Sequence, residues 1–196
     1  MNKTLEFFFD LGSPAAFLAW TQLPALCERT GARLRYRPML LGGVFQATGN
    51  ASPATVPAKG RYMMMDLLRH ARRYSVPFAF NPHFPINTLV LMRGAVGYQL
   101  HSEHELLRYL DAMFTAIWID QRNLADEQVL TEVLVAAGLD AEQLRALVTE
   151  DSVKNVLKAN TEEAVQRGVF GAPTFFVDDE MFFGQDRLGF VEDALR

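Results

Sequence analysis

The chain has 196 residues, of which 49% are hydrophobic and 21% are charged, and its formal net charge is −4. The acidic balance gives no indication of nucleic-acid binding, and no apolar run reaches the roughly 20 residues that cross a bilayer. Cys27 is the single cysteine, so the chain cannot form an internal disulfide, and its four histidines show no metal-binding spacing. We therefore expect a cytoplasmic protein without nucleic-acid, membrane or metal partners.

The first 38 residues have a β-α-β pattern. TLEFFF at 4–9 is rich in β-formers and predicts a buried strand. Ser13 suits a helix N-cap and Pro14 suits the first helical position, so a helix is predicted from there to the residue before Gly31. RLRYRP at 33–38 alternates as a second strand.

The middle of the chain changes character. Residues 41–60 are dense in Gly, Pro, Ser and Thr and predict a long loop, followed by a helix over 61–74 and a proline-rich connector over 76–87. Ser102 and Glu105 fit a capping box. Further helices are predicted to begin near Asn87, Ser102, Asp126, Asp140 and Asp151.

The end of the chain returns to β character. Strands are predicted at 174–177 and 180–183, joined by an acidic turn, and a last helix is predicted to begin at Asp186, which would cap it. A β-α-β start and a β-β-α end thus flank a long helical region. This outline predicts an α/β fold: a thioredoxin-like domain with a large all-helical insertion.

The outline also predicts where the two parts meet. The thioredoxin-like domain is discontinuous and comprises residues 1–45 and 165–196. The helical insertion domain comprises residues 46–164.

Three segments of the chain resemble a known family. They are FFFDLGSPAAFLA at 7–19, GNASPATVPAKG at 49–60, and GAPTFFV with FFGQDRL within 171–188. Together they resemble the 2-hydroxychromene-2-carboxylate isomerases and the kappa-class glutathione transferases, which have a DsbA-like thioredoxin fold. The resemblance extends over nearly the whole chain, and it implies glutathione as the cofactor and a homodimer as the assembly.

Ser13 is the catalytic residue that the resemblance implies. Redox members of the superfamily carry Cys-x-x-Cys at this turn, whereas here the tetrapeptide is Ser-Pro-Ala-Ala, so the protein cannot exchange a disulfide of its own. Lowering a thiol pKa by about two units takes roughly 2.7 kcal/mol. A helix N-terminus supplies up to about 2 kcal/mol and a hydrogen bond to a charged acceptor about 1.5–3 kcal/mol. Ser13 is therefore predicted to stabilise a glutathione thiolate, while the motif alone would indicate a helix cap, and one hydroxyl can serve both roles.

The resemblance also implies contacts for the glutathione backbone and its γ-glutamyl end. The Ala172–Pro173 bond is predicted to be cis, with the backbone of Ala172 pairing with the cysteinyl residue. Gln185 is predicted to meet the α-carboxylate and Asp186 the α-ammonium group. Arg187 is predicted to form a structural ion pair.

The remaining site residues lie in the middle of the chain. Asn50 and Lys59 match the kappa-class loop that holds the glycyl carboxylate. Phe45, Phe84 and His83 are predicted to bind the second substrate. The two phenylalanines take places where the isomerases use a lysine and a tyrosine, which favours a neutral aromatic acceptor.

These features predict a glutathione-dependent isomerase of the 2-hydroxychromene-2-carboxylate isomerase type, acting on a small conjugated aromatic substrate. A kappa-like glutathione transferase and a non-catalytic glutathione-binding module remain as alternatives. A dithiol oxidoreductase is disfavoured because the chain has no CxxC.

Overall fold

The computed structural model describes residues 3–196 and contains a mixed four-stranded sheet of order β2-β1-β3-β4. Strand β1 pairs in parallel with β2 and antiparallel with β3, which forms a hairpin with β4. The strands are β1 (Thr4–Phe9), β2 (Arg33–Pro38), β3 (Thr174–Val177) and β4 (Glu180–Phe183). These bounds agree with the sequence prediction, because each strand is a short run of β-forming residues between turn signals.

The helices cover most of the remaining chain. They are α1 (Pro14–Trp20), α2 (Leu23–Thr30), α3 (Leu41–Thr48), α4 (Pro57–Tyr74), α5 (Leu89–His101), α6 (Glu103–Trp118), α7 (Glu127–Ala136), α8 (Ala141–Leu147), α9 (Asp151–Gln166) and α10 (Leu188–Leu195). The fold is therefore a DsbA-like thioredoxin domain with a helical insertion, as predicted. Within residues 3–196, no helix combines the length and the apolar character that a membrane crossing requires.

The central strand β1 separates two apolar layers. Phe7 and Phe9 face the larger core, where Phe7 stacks on Phe175 with ring centroids 5.4 Å apart. Phe8 faces the opposite side and packs with Phe176. All of these side chains are buried because successive residues of a strand point to opposite faces and both faces are covered by helices.

The first predicted helix is in fact two helices. The chain breaks at Thr21 and Gln22, and Pro24 stands in the first turn of α2. Proline has no N–H, so a continuous helix would lose a backbone hydrogen bond at this position. Gly31, with φ of 68°, ends α2 where the sequence predicted a helix stop.

The predicted loop over residues 41–60 contains α3, a short 3₁₀ turn at Pro53–Thr55 and the first residues of α4. Helix α3 forms despite two glycines because Val44 is buried between β1 and α9 and because a side chain from elsewhere caps its first N–H. Helix α4 begins at Pro57 rather than near residue 61, with proline at a position that favours it.

Two predicted side-chain capping bonds do not form. Ser102 is the N-cap residue of α6 but makes no side-chain cap bond, and Asp186 lies in a 3₁₀ turn (Gln185–Arg187) before α10, whose N-cap residue is Arg187. The predicted borders of the insertion, between residues 45 and 46 and between 164 and 165, fall inside α3 and α9.

Candidate active site

A cleft of about 820 Å³ opens between the sheet and the helical insertion. The turn between β1 and α1 forms its floor, and α3, α4, the connector near residue 84 and the segment before β3 form its walls. The volume lies within the range of small-molecule sites in proteins. Of the residues predicted for the site, the cleft is lined by Ser13, Phe45, Asn50, Lys59, Phe84, Ala172 and Gln185.

Ser13 lies at the floor and is 5% exposed. Its hydroxyl donates to the carbonyl oxygen of Ala172 at 2.9 Å and accepts from the N–H of Ala16 at 3.1 Å, so the residue does cap α1. Helix α1 has only seven residues rather than the seventeen that the sequence predicted. The electrostatic contribution of a short helix is smaller, which leaves more of any thiolate stabilisation to the Ser13 hydroxyl.

Ala172 faces Ser13 across the floor. The Ala172–Pro173 bond is cis, as predicted. Ala172 lines the cleft, whereas Pro173 does not, and the carbonyl oxygen of Pro173 accepts from the N–H of Gly184 at 3.0 Å. Pro173 therefore closes the open end of the β3–β4 hairpin and does not form part of the cleft surface.

Asn50 and Lys59 lie on the opposite wall, and both are exposed. The side-chain amide of Asn50 donates to the carbonyl oxygen of Phe170 at 2.8 Å, which joins the 49–56 loop to the segment before β3. Lys59 is the one lysine or arginine among the described residues that line the cleft.

Gln185 and Asp186 differ in position although they are adjacent. Gln185 is buried and lines the cleft, and its carbonyl oxygen accepts from the hydroxyl of Tyr74 at 2.9 Å. Asp186 is exposed outside the cleft lining and forms the predicted ion pair with Arg187, with 2.6 Å between Oδ2 and Nη1. The geometry thus supports Gln185 as a ligand more strongly than Asp186.

The residues predicted to bind the second substrate differ in their position relative to the cleft. Phe45 on α3 and Phe84 in the connector both line the cleft, and Phe84 packs on Trp118 with ring centroids 6.1 Å apart. His83 is exposed and is not among the cleft-lining residues. The backbone N–H of His83 donates to Asn81 Oδ1 at 2.8 Å, and the cleft lining in this segment begins at the next residue, Phe84.

Sequence reasoning missed an aromatic pair at the cleft mouth. Phe170 and Phe183 lie with ring centroids 4.5 Å apart, and both line the cleft. A side chain at Gly171 would lie 2.6 Å from the Phe183 ring, so a residue without Cβ is needed there. In the sequence, Phe170 directly precedes Gly171 and Phe183 directly precedes Gly184, and this pattern could have drawn attention to the two rings. The contact between the rings, however, depends on the β3–β4 register.

Two carboxylates on the cleft were also missed. Asp66 lies on the inward face of α4, with its Oδ2 at 3.7 Å from Nε2 of His70. Asp10 lies at the end of β1 and is 1% exposed, and burial raises the pKa of its carboxyl above the usual range, although three hydrogen bonds oppose that rise. Asp10 belongs to the segment DLGSP at 10–14, the same segment from which Ser13 was predicted as a site residue.

Comparison with known proteins agrees with this fold. Residues 4–196 match the family described as the DSBA-like thioredoxin domain. A 2-hydroxychromene-2-carboxylate isomerase of Sphingobium xenophagum is 36% identical over all of this chain and 99% of its own length. Glutathione S-transferase kappa 1 of Homo sapiens is 29% identical over all of this chain and 92% of its own length.

Solved structures show the same relationship. A 2-hydroxychromene-2-carboxylate isomerase superposes with a TM-score of 0.85 at 29% identity, over 98% of this chain and 94% of that chain. The cytosolic disulfide reductase DsbM of Pseudomonas aeruginosa, solved with glutathione, shares the fold with a TM-score of 0.65 at 20% identity, over 98% of this chain and 95% of that chain. The chain belongs to the DsbA-like thioredoxin family, and within it to the enzymes represented by these isomerases and kappa-class transferases.

Proposed function

We propose that this enzyme binds glutathione in the cleft and acts as a glutathione-dependent isomerase on a small conjugated aromatic substrate. The observation that carries the proposal is the contact between the Ser13 hydroxyl and the Ala172 carbonyl at the cleft floor. The proposal is supported because this hydroxyl takes the position that a cysteine has in the redox members of the superfamily, beside a backbone edge with which a peptide can pair. The sulfur is therefore expected to come from the bound tripeptide.

The residues of the cleft fit glutathione at each of its parts. The tripeptide has carboxylates at both ends, an ammonium group at its γ-glutamyl end and a peptide backbone between them. Lys59, on the outer wall of the cleft (residues 49–59), offers a cation to the glycyl carboxylate. Ala172 offers the backbone edge to the cysteinyl residue, and Gln185 offers an amide to the γ-glutamyl carboxylate. For the ammonium group two carboxylates are available, Asp66 on the cleft wall and Asp186 outside it.

Ser13 is the residue that would act on the sulfur. Its hydroxyl needs only to turn from the Ala172 carbonyl toward the cleft to donate to a thiolate, and it can go on accepting from the N–H of Ala16 as it does so. The turn would also free the Ala172 carbonyl for the cysteinyl N–H. One rotation of a hydroxyl thus serves the thiolate and the peptide pairing together.

The chemistry of the cofactor suits an isomerase. When bound, glutathione would supply a thiolate for reversible addition to a conjugated carbon, with the displaced electron pair spread over the conjugated system of the acceptor; the resulting single bond could rotate before elimination returns the thiolate. Phe45, Phe84 and the Phe170–Phe183 pair would hold the flat acceptor and exclude water from it.

A kappa-like transferase is the second candidate, and the same aromatic residues of the cleft favour it. The aromatic residues lack a charged group to hold a carboxylate on the acceptor, which suits a neutral electrophile. The two activities differ in stoichiometry: an isomerase leaves the total amount of glutathione thiol unchanged, whereas a transferase consumes one thiol per turnover.

The test begins with glutathione binding, measured by calorimetry, and with the ultraviolet thiolate absorbance of the complex during a pH titration. We expect binding and a thiol pKa below that of free glutathione. Turnover of a conjugated aromatic acceptor is then followed together with a count of remaining thiols. Absence of binding would contradict the proposal, and binding without thiolate formation would indicate a non-catalytic binding module.

A further inference from the structure

Asp10 is a buried carboxylate to which the reaction assigns no role. It directly follows β1, three residues before Ser13, and is 1% exposed. Its Oδ1 accepts from the N–H of Gly12 at 2.8 Å, and its Oδ2 accepts from the N–H of Leu41 at 2.8 Å and from the hydroxyl of Thr88 at 3.1 Å. The carboxylate is thus satisfied by three donors from three segments of the chain.

Each of these segments leads into a helix. Gly12 precedes the cap of α1, Leu41 is the first residue of α3, and Thr88 is the N-cap residue of α5. Leu40, the N-cap residue of α3, makes no side-chain cap bond, so Asp10 supplies the cap from a distant part of the sequence. Asp10 therefore joins the Ser13 turn to the helix that carries Phe45 and to the start of α5.

Other contacts hold the same turn. The N–H of Leu11 donates to Met92 Sδ at 3.3 Å, and the Leu11 carbonyl accepts from Trp118 Nε1 at 2.9 Å. A side chain at Gly12 would lie 2.9 Å from Thr88 Cγ2, so the turn is packed directly against the start of α5. The turn has little room to move while these contacts persist.

The geometry requires a carboxylate rather than an amide. Both oxygens of Asp10 face backbone N–H groups, which can only donate. An asparagine would have to turn its NH₂ group toward one of these donors and leave that N–H without an acceptor. Burial raises the pKa of the Asp10 carboxyl, and the hydrogen bonds from Leu41, Gly12 and Thr88 oppose that rise.

We propose that Asp10 is a positioning residue for the sulfur site, which holds the turn so that the Ser13 hydroxyl faces the place of the glutathione sulfur. Asp10 acts through the turn and does not touch the substrate. This inference rests on the proposed function, because it concerns the sulfur that Ser13 would stabilise.

The test compares Asp10→Asn, Thr88→Val and Thr88→Ser with the unmodified protein, after circular dichroism has established folding. The readout is the pKa of the bound glutathione thiol, measured by thiolate absorbance. Asp10→Asn is expected to raise it by about one unit, a tenfold change in proton affinity. Thr88→Val is expected to raise it by less, and Thr88→Ser, which keeps the hydroxyl, is expected to restore it.

The sign of the change distinguishes the mechanisms. Removal of a nearby negative charge would by itself lower the thiol pKa, so a rise identifies lost geometry. A lowered or unchanged pKa in folded Asp10→Asn overturns the proposal. If Asp10→Asn does not fold, the two Thr88 variants decide. A thiol pKa that rises in Thr88→Val but not in Thr88→Ser supports the proposal, and equal thiol pKa values in the two variants overturn it. If the unmodified protein binds no glutathione, the proposed function fails. If the unmodified protein binds glutathione but the variants behave as described for failure, only the role of Asp10 is overturned.

Discussion

The inner and outer walls of the cleft are built differently. The inner wall, which comprises the cleft floor (Ser13 and Ala172) and Gln185, is largely buried; a hydrogen bond links Ser13 to Ala172, and another links Gln185 to Tyr74 of α4. The outer wall (residues 49–59) is exposed except for Ser52. Polar contacts strengthen where water is excluded and weaken where it is not. The difference implies that the inner wall governs thiol chemistry, whereas the outer wall contributes modest, salt-dependent binding.

The largest expected effect is that of Ser13→Ala on the inner wall. Loss of a hydrogen bond to a thiolate is worth about 1.5–3 kcal/mol, which corresponds to a fall in kcat/KM of about 10- to 150-fold. The thiol pKa of the complex should rise in parallel. Steady-state kinetics and thiolate titration measure the two effects.

Ser52→Ala is the matched control for Ser13→Ala. Ser52 also caps a helical turn, since its hydroxyl accepts from the N–H of Ala54 at 3.3 Å, but it belongs to the outer wall. Its substitution should change kcat/KM by less than about threefold. Equal losses from both serines would indicate that capping, and not the sulfur, explains Ser13.

The next effect concerns the acceptor. Phe45→Lys places a cation on an apolar part of the cleft, and it should raise kcat/KM for an aromatic acceptor that bears a carboxylate by about five- to tenfold, or about 1–1.4 kcal/mol. Phe45→Leu is the control for the lost ring. An unmodified protein that already prefers the carboxylate over a neutral acceptor would contradict the predicted neutral substrate.

A smaller effect is expected from Lys59→Ala. An exposed ion pair is worth about 0.5–1 kcal/mol, so the Kd for glutathione should rise about two- to fivefold, with kcat unchanged. The rise should shrink at high salt. Arg61→Ala is the control, because Arg61 is also exposed on α4 but does not line the cleft. The same increase from both variants would show a general charge effect.

The smallest effect is expected from Asp186→Asn. Its carboxylate is exposed, paired with Arg187 and caps no helix, so both the melting temperature and the Kd for glutathione should change little, the Kd by less than about twofold. Asp66→Asn, at the cleft wall, should raise the Kd more, by about threefold. The opposite order, measured by calorimetry, would assign the ammonium group to Asp186.

The sequence was sufficient to predict the parts of the molecule whose causes are local. Runs such as TLEFFF and TFFV predict strands because β-propensity and a short apolar run act within a few residues. The matched segments predicted that Ser13, Ala172 and Gln185 would meet at one site. All three residues line the cleft, although they are distant in the chain. Those segments also predicted the enzyme family, which the comparisons confirm.

Only the tertiary structure decided the features that depend on partners distant in sequence. Helix α3 forms because Asp10 caps it and Val44 is buried, and neither cause is visible in a glycine-rich segment. The Phe170–Phe183 pair depends on hairpin register, and the position of His83 outside the cleft lining depends on how the 81–87 connector packs. Local propensities are small compared with burial and capping by remote residues, so the sequence pattern alone could not determine which side chains meet at the cleft.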